Sequence, residues 1–242
     1  MKKFYDLHLQ VPSDFGLVER MVKKATWLGY TGVGVPLPHN VSDATVFRLR
    51  QLCMDSRIDL VTRIDLAPKS ANELLSQLRR CRRRFEIIAV SCLCKAVARQ
   101  AAKDRRVDLI SFPALNFRNR YFDDAEAELA SSALASLEID MSMFLSATSF
   151  ERIHLLANLR RETTIANKFS VPVVISSGAK TESLMRKPQD FAALAYLFDM
   201  PAASALRAVS ENPLSILTRN RTKLHSSFVA PGIRIIKREK DP

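Results

Sequence analysis

IDLVTRIDLAPKSANELLSQLRRCRRRFEIIAVSC, residues 58–92, contains one full turn of the pattern that organises this chain. Residues 58–67 are apolar and β-branched and read as a strand. Ser70 stands where a helix N-cap belongs, and Ala71, Leu74, Leu75, Leu78 and Cys81 then recur on one helical face. FEIIAVSC (85–92) reads as the next strand. A helix joining two strands is a crossover, and a crossover implies that the strands run parallel.

The same unit repeats on both sides. Upstream, FYDLHLQ (4–10) reads as a strand, and Phe15, Val18, Met21, Val22, Ala25 and Leu28 give residues 14–29 an apolar helical face. TGVGVPLP (31–38) is the second strand, and Ser42 caps a helix through Met54. Downstream come a helix over 93–104, a strand at DLISFP (108–113), a helix near 123–136 and a strand at EIDMSMFL (138–145). Thr148 caps a long helix through Phe169, VPVVISS (171–177) is a strand, and helical stretches fall near 188–198 and 201–220. Seven parallel strands with intervening helices predict a TIM-barrel-like (β/α) barrel over residues 1–220, slightly irregular because no eighth strand is evident. A doubly wound sheet is disfavoured, since no GxGxxG follows a strand and the chain has six glycines. Residues 221–242 read as a mobile basic C-terminal tail, in which GIRIIKR (232–238) could add an edge strand.

The chain has 242 residues, 47% of them apolar, enough for one sizeable core. No apolar run reaches the ~18 residues of a membrane span, and MKKFYDLH lacks the apolar region of a signal peptide. The four cysteines include no CxxC pair and read as thiols of a reducing, cytoplasmic setting. The formal net charge of +12 points to a polyanionic partner, with nucleic acid foremost.

Side chains alternate along a strand. In 4–10 the apolar set Tyr5, Leu7, Leu9 and Val11 is expected to face the helices, leaving Phe4, Asp6, His8 and Gln10 inside the barrel. In 58–67, Leu60, Thr62, Ile64 and Leu66 face out, and Asp59, Val61, Arg63 and Asp65 face in. Asp140 and Ser142 are also expected inside. Asp6, His8, Arg63 and Asp65 would then form a polar cluster near the C-terminal mouth, where barrels place their functional groups. A divalent site built from Asp6, His8, His39 and Asp65 is the rival reading, and it would make the chain a metal-dependent phosphoesterase. Arg63 argues against it: a fixed guanidinium neutralises the carboxylates and repels a cation. Ser176-Ser177-Gly178 lacks the GxSxG elbow of a nucleophile and reads as a turn.

YDLH (5–8), LPHN (37–40), RIDL (63–66), NFRNRYFD (116–123) and VISSGAK (174–180) together resemble one family. It is the archaeal and eukaryotic ribonuclease P protein subunit with a TIM-barrel-like fold, called component 3 in archaea. That family is distantly related to the polymerase-and-histidinol-phosphatase metallohydrolases, whose first strand carries DxHxH. Asp6 and His8 match that motif, but Gln10 replaces its second histidine. His39 matches the histidine after strand two, Pro38 replaces the neighbouring aspartate, and Ser177-Gly178-Ala179 stands where an Asp-x-His belongs. The resemblance therefore implies a vestigial site, with no metal, cofactor or catalytic residue on this chain. It implies that an RNA subunit cleaves precursor tRNA at the 5′ end, and that the protein supports this RNA beside the Pop5-like subunit (component 2) and other ribonuclease P proteins. Contact with precursor tRNA is then indirect.

Three basic stretches are the expected RNA contacts. RRCRRRF (79–85) supplies Arg79, Arg80, Arg82, Arg83 and Arg84, more guanidinium groups than a helix end needs. NFRNRYF (116–122) sets Arg118 and Arg120 among aromatics, suited to phosphate contact and base stacking. Lys180, Arg186 and Lys187 follow the seventh strand near Gly178.

Overall fold

A computed structural model describes residues 2–10, 14–113, 117–230 and 233–235. Among these, seven strands form one parallel sheet in chain order: β1 (Tyr5–Asp6), β2 (Gly32–Pro36), β3 (Asp59–Leu66), β4 (Ile87–Ser91), β5 (Leu109–Ser111), β6 (Ser136–Asp140) and β7 (Val173–Ser176). The connecting helices are α1 (Phe15–Trp27), α2 (Asp43–Asp55), α3 (Ala71–Cys81), α4 (Lys95–Lys103), α5 (Asp124–Ala133), α6 (Met141–Ser146) and α7 (Ser149–Lys168). After β7 come α8 (Pro188–Leu194), α9 (Ala202–Ala208) and α10 (Glu211–Leu224). The expected caps form: Ser42, Ser70 and Thr148 each accept a backbone N–H from the first turn of their helix, and Thr148 completes a capping box with Glu151.

The sheet curls until its two edge strands meet. Leu9 bridges Ala179, and the Gln10 N–H donates to the Ala179 carbonyl over 2.9 Å. The Asp6 carboxylate accepts the Ser177 N–H at 2.9 Å and the His8 N–H at 3.2 Å. Asp6 is therefore a seam residue, supplying acceptors that a full strand-to-strand ladder would otherwise provide. The result is the expected seven-stranded, slightly irregular (β/α) barrel.

The alternation along β3 is as expected, but that of the first strand is reversed over its first half. Tyr5 and Leu7 pack inside the barrel with Val61, Ile87, Ala89, Leu109 and Val174, while Phe4 and Leu9 join the helix-facing core. The chain bends at Leu7, so Leu7 and His8 both point inward and the phase changes between them. Val11 lies outside the described residues. Gly32 and Gly34 make room for this arrangement. A Cβ at Gly32 would lie 2.4 Å from the Tyr5 ring, and one at Gly34 would lie 2.2 Å from the Leu7 carbonyl oxygen.

The segment expected as one strand over 138–145 divides. β6 begins at Ser136 and ends at Asp140, and α6 follows at once, burying Met141 and Phe144 three residues apart. The last helix runs past the expected end at 220. Ile216 and Leu217 of α10 plug the barrel against Tyr5 and Leu7. Arg221 reaches both Asp59 oxygens at 2.8 and 2.9 Å and Glu86 at 2.6 Å, which holds the final turn in place. Beyond it, Phe228–Ala230 and Ile233–Arg234 pair with each other as a separate antiparallel hairpin and do not join the barrel sheet.

The Gly34→Ala variant should lose stability by roughly 2 kcal/mol or more, because the clash is with backbone and no side chain can move aside. Urea unfolding monitored by circular dichroism measures this.

Candidate functional site

The barrel interior holds a chain of ion pairs. Arg63 comes from β3, which is paired on both sides, so its backbone is fixed and its side chain is only 2% exposed. Its Nη1 and Nη2 donate to Glu138 Oε1 and Oε2 at 2.5 and 2.6 Å. Nε donates to Asp65 Oδ1 at 2.6 Å, and Nη1 also donates to the Leu7 carbonyl at 2.9 Å. Ser176 donates its hydroxyl to Glu138 Oε1 at 2.7 Å. Next to this group, His8 places Nδ1 2.8 Å from Asp140 Oδ1 and Nε2 3.1 Å from Asp65 Oδ2. The second contact is ionic and lacks hydrogen-bond alignment, so Nε2 has no hydrogen-bond partner.

Burial and the Arg63 charge both oppose protonation of His8. The carboxylates of Asp140 and Asp65 outweigh them and push its pKa up to about 10. Burial also disfavours the charged form of Arg63, yet Glu138 and Asp65 hold its pKa above the ordinary value. In Asp65, burial is outweighed by Arg63 and His8, which keep the carboxyl below the usual range. Asp6 is raised by burial, a shift only partly offset by its bonds to Ser177 and His8. Two internal cations thus face three carboxylates. The mouth above them is a cavity of about 260 Å³, lined also by Gln10, Ser142 and Lys180.

Of the expected cluster, the fold brings together His8, Arg63 and Asp65. Asp6 belongs to the seam, and His39 is exposed in the loop after β2, where only its carbonyl is used, by Arg84. Sequence reasoning missed Glu138. It lies two residues before Asp140 on one strand, and that Glu-Ile-Asp spacing places both carboxylates on the same face.

Ligand atoms of His8, Glu138 and Asp140 lie within 4.8 Å of one another, the spacing of a metal site. Their chemistry does not fit one. Both Glu138 oxygens are taken by the Arg63 guanidinium, whose fixed positive charge beside these carboxylates also repels a divalent cation.

The expected RNA contacts divide by burial. Arg79, Arg80 and Arg83 are exposed at the end of α3 and make no hydrogen bond or ion pair among the described residues. Arg82 instead donates to the buried Asp108 at 2.7 Å, where Arg219 and Asn220 also bind. Arg84 braces the loop after β2 through the carbonyls of His39 and Val41. Arg120 is turned inward, paired with the buried Glu162 through two 2.6 Å bonds, so its charge is not presented at the surface. Arg118, on a short 3₁₀ turn (Phe117–Asn119), is exposed; Asn116 lies outside the described residues. Lys180 and Lys187 are exposed, while Arg186 is half-buried and bonded to the carbonyls of Ser183 and Met185.

Fold and site define a (β/α) barrel with a guanidinium-centred, ion-paired interior and an arginine-rich exterior. The family model described as RNase P subunit p30 matches residues 3–225, and the chain belongs to that family. It is 24% identical to ribonuclease P protein component 3 of Methanococcoides burtonii, over 98% of this chain and 95% of that one. It is 27% identical to the protein of the same name from Methanosarcina barkeri, over 97% and 96%. Its fold is similar to that of a chain in the cryo-EM structure of archaeal ribonuclease P with mature tRNA. The TM-score is 0.84 and the identity 22%, covering 97% of this chain and 99% of that one.

His8 generates a pH dependence of known sign. Its pKa is higher in the folded protein than the ~6.5 of an unfolded chain, so its stabilisation is complete below pH ~6.5 and is lost as pH rises towards 10. Thermal melts should show stability falling over that window in the wild type and a flatter profile in His8→Gln.

Proposed function

We propose that this chain is a non-catalytic, RNA-binding protein subunit of ribonuclease P. In this reading the RNA subunit carries out 5′ maturation of precursor tRNA, and the Pop5-like subunit and other ribonuclease P proteins assemble beside this one. The family match over residues 3–225 supports the assignment. The observation that carries the division of labour is the bidentate Arg63–Glu138 pair, which takes both oxygens of one of the three side chains spaced as metal ligands at the barrel mouth. The exposed cations at the end of α3, with Lys180, Lys187 and Arg118, supply the phosphate contacts. Such contacts give affinity and orientation with little sequence readout. Among the described residues no helix is long and apolar enough to cross a membrane. A reducing cytoplasm is the location proposed, and it suits the four free thiols.

Binding of cognate ribonuclease P RNA should weaken steeply with salt. Replacing Arg79, Arg80 and Arg83 together by alanine should reduce the slope of log K against log salt by about 3, roughly one per phosphate contact. Arg120→Ala should instead lower thermal stability, by leaving Glu162 buried without its partner. Filter binding across a salt series reads the first effect. A triple variant with the wild-type slope would contradict the proposed surface.

A further inference from the structure

Neighbouring helices of the outer ring do not close everywhere. α2 and α3 make little contact with each other, whereas α3 packs on α4 and α4 on α5. The gap is a groove containing two cavities that adjoin at Leu37. One, of about 420 Å³, is lined by Val41, Val46, Phe47, Arg50, Arg84 and Phe85 among others. The other, of about 370 Å³, includes Pro38, His39, Gln77, Arg80 and Cys81. Phe47 is 63% exposed, on a helix with few buried side chains. Arg50 lines the first cavity on the α2 side, beside the exposed Asp43, and Arg80 lines the second on the α3 side; both arginines are exposed, with no hydrogen bond or ion pair among the described residues. Residues 43–84 carry ten Lys/Arg against five Asp/Glu; of the ten, Arg63 is buried, Arg82 is paired with Asp108, and Arg84 is tied to the carbonyls of His39 and Val41.

We infer that this groove binds a segment of unpaired RNA. The inference rests on the RNA-subunit reading above and specifies which kind of RNA element it meets and where. Three features favour a single strand. Guanidinium groups on both walls match a phosphodiester backbone running between them. The Phe47 face offers a stacking platform for a base that is not already stacked in a helix. The opening lies between the adjacent helices α2 and α3, where an unpaired strand can lay its splayed bases. An acidic protein segment would satisfy the arginines but would leave the flat ring without a matching group.

The test compares full-length wild type with Phe47→Ala and with Arg50→Ala/Arg80→Ala. All three positions are exposed, and melting temperatures verify that each variant is folded. The probes are a short unstructured oligoribonucleotide, a hairpin duplex of equal charge, and intact ribonuclease P RNA. Phe47→Ala should weaken binding of the unstructured probe about tenfold and leave the hairpin nearly unchanged. The double arginine variant should lower the salt slope for the unstructured probe by about 2. Wild-type behaviour of both variants with an intact ribonuclease P RNA complex would overturn the groove and leave the RNA-subunit reading standing. Unchanged RNA binding together with lost association of another protein subunit would also overturn it. Failure of the wild type to bind intact RNA would refute the RNA-subunit reading itself.

Discussion

The bidentate contact between Arg63 and Glu138 is the constraint on which the rest of the interior depends. Arg63 is nearly inaccessible and Glu138 is wholly enclosed, so neither charge survives there alone. The guanidinium geometry satisfies two carboxylate oxygens in parallel and still has Nε for Asp65. Asp65, held ionised, in turn faces His8, and His8 faces Asp140. Three strands, β3, β6 and β7, and the segment that continues β1 are thereby joined through side chains across the barrel, in addition to the backbone ladder around its wall. Removing the first pair would strand the others. The same arrangement places the Arg63 and His8 pairs at the floor of the cavity in the C-terminal mouth, with His8 Nε2 left without a hydrogen-bond partner.

The chain's charge is distributed on the same principle. Its +12 excess does not translate into a uniformly available cationic surface. Arg63, Arg82, Arg99, Arg106, Arg120, Arg219 and Arg221 all bind carboxylates of this chain, several of them buried. The far end of the barrel is closed by such contacts, with Asp59, Glu86 and Asp108 receiving side chains from α10 and from the end of α3. The cations standing clear of these pairs include Arg50 on α2, Arg79, Arg80 and Arg83 at the end of α3, and Lys180 and Lys187 after β7. A basic cluster in one dimension thus becomes two populations in three: guanidinium groups that hold helices to the barrel, and guanidinium groups that face solvent.

The fold was legible in the sequence because a βα repeat expresses itself twice, as apolar strands and as capped amphipathic helices, and the two signals agree over most units. It failed where the periods changed without warning. Residues 138–145 are apolar enough to read as one strand, yet Asp140 ends it and a short helix begins. In the first strand, strict alternation misplaced Tyr5 and Leu7, because a bend at Leu7 puts two successive side chains inside. Gly32 and Gly34 opposite them were the available sign of a close approach. The central cluster was half visible. His8, Arg63 and Asp65 followed from strand phase, but Glu138 did not, since its partner lies 75 residues away and pairing across a barrel leaves no local mark. The arginine run at 79–84 was recognised as a cluster, but its sequence does not say that Arg82 and Arg84 turn back on the fold. Arg120 shows the same limit, because its buried partner Glu162 lies on a helix 42 residues later.

The most direct test of the account is calorimetric titration of the purified, metal-stripped full chain with Zn²⁺ and Mn²⁺, with the His8 ring observed by NMR in the same samples. An interior whose carboxylates are already engaged by Arg63 and His8 predicts no stoichiometric binding and an unmoved His8 resonance. One-to-one binding accompanied by proton release from His8 would show that a divalent ion, and not the guanidinium, is what the carboxylates are arranged to hold.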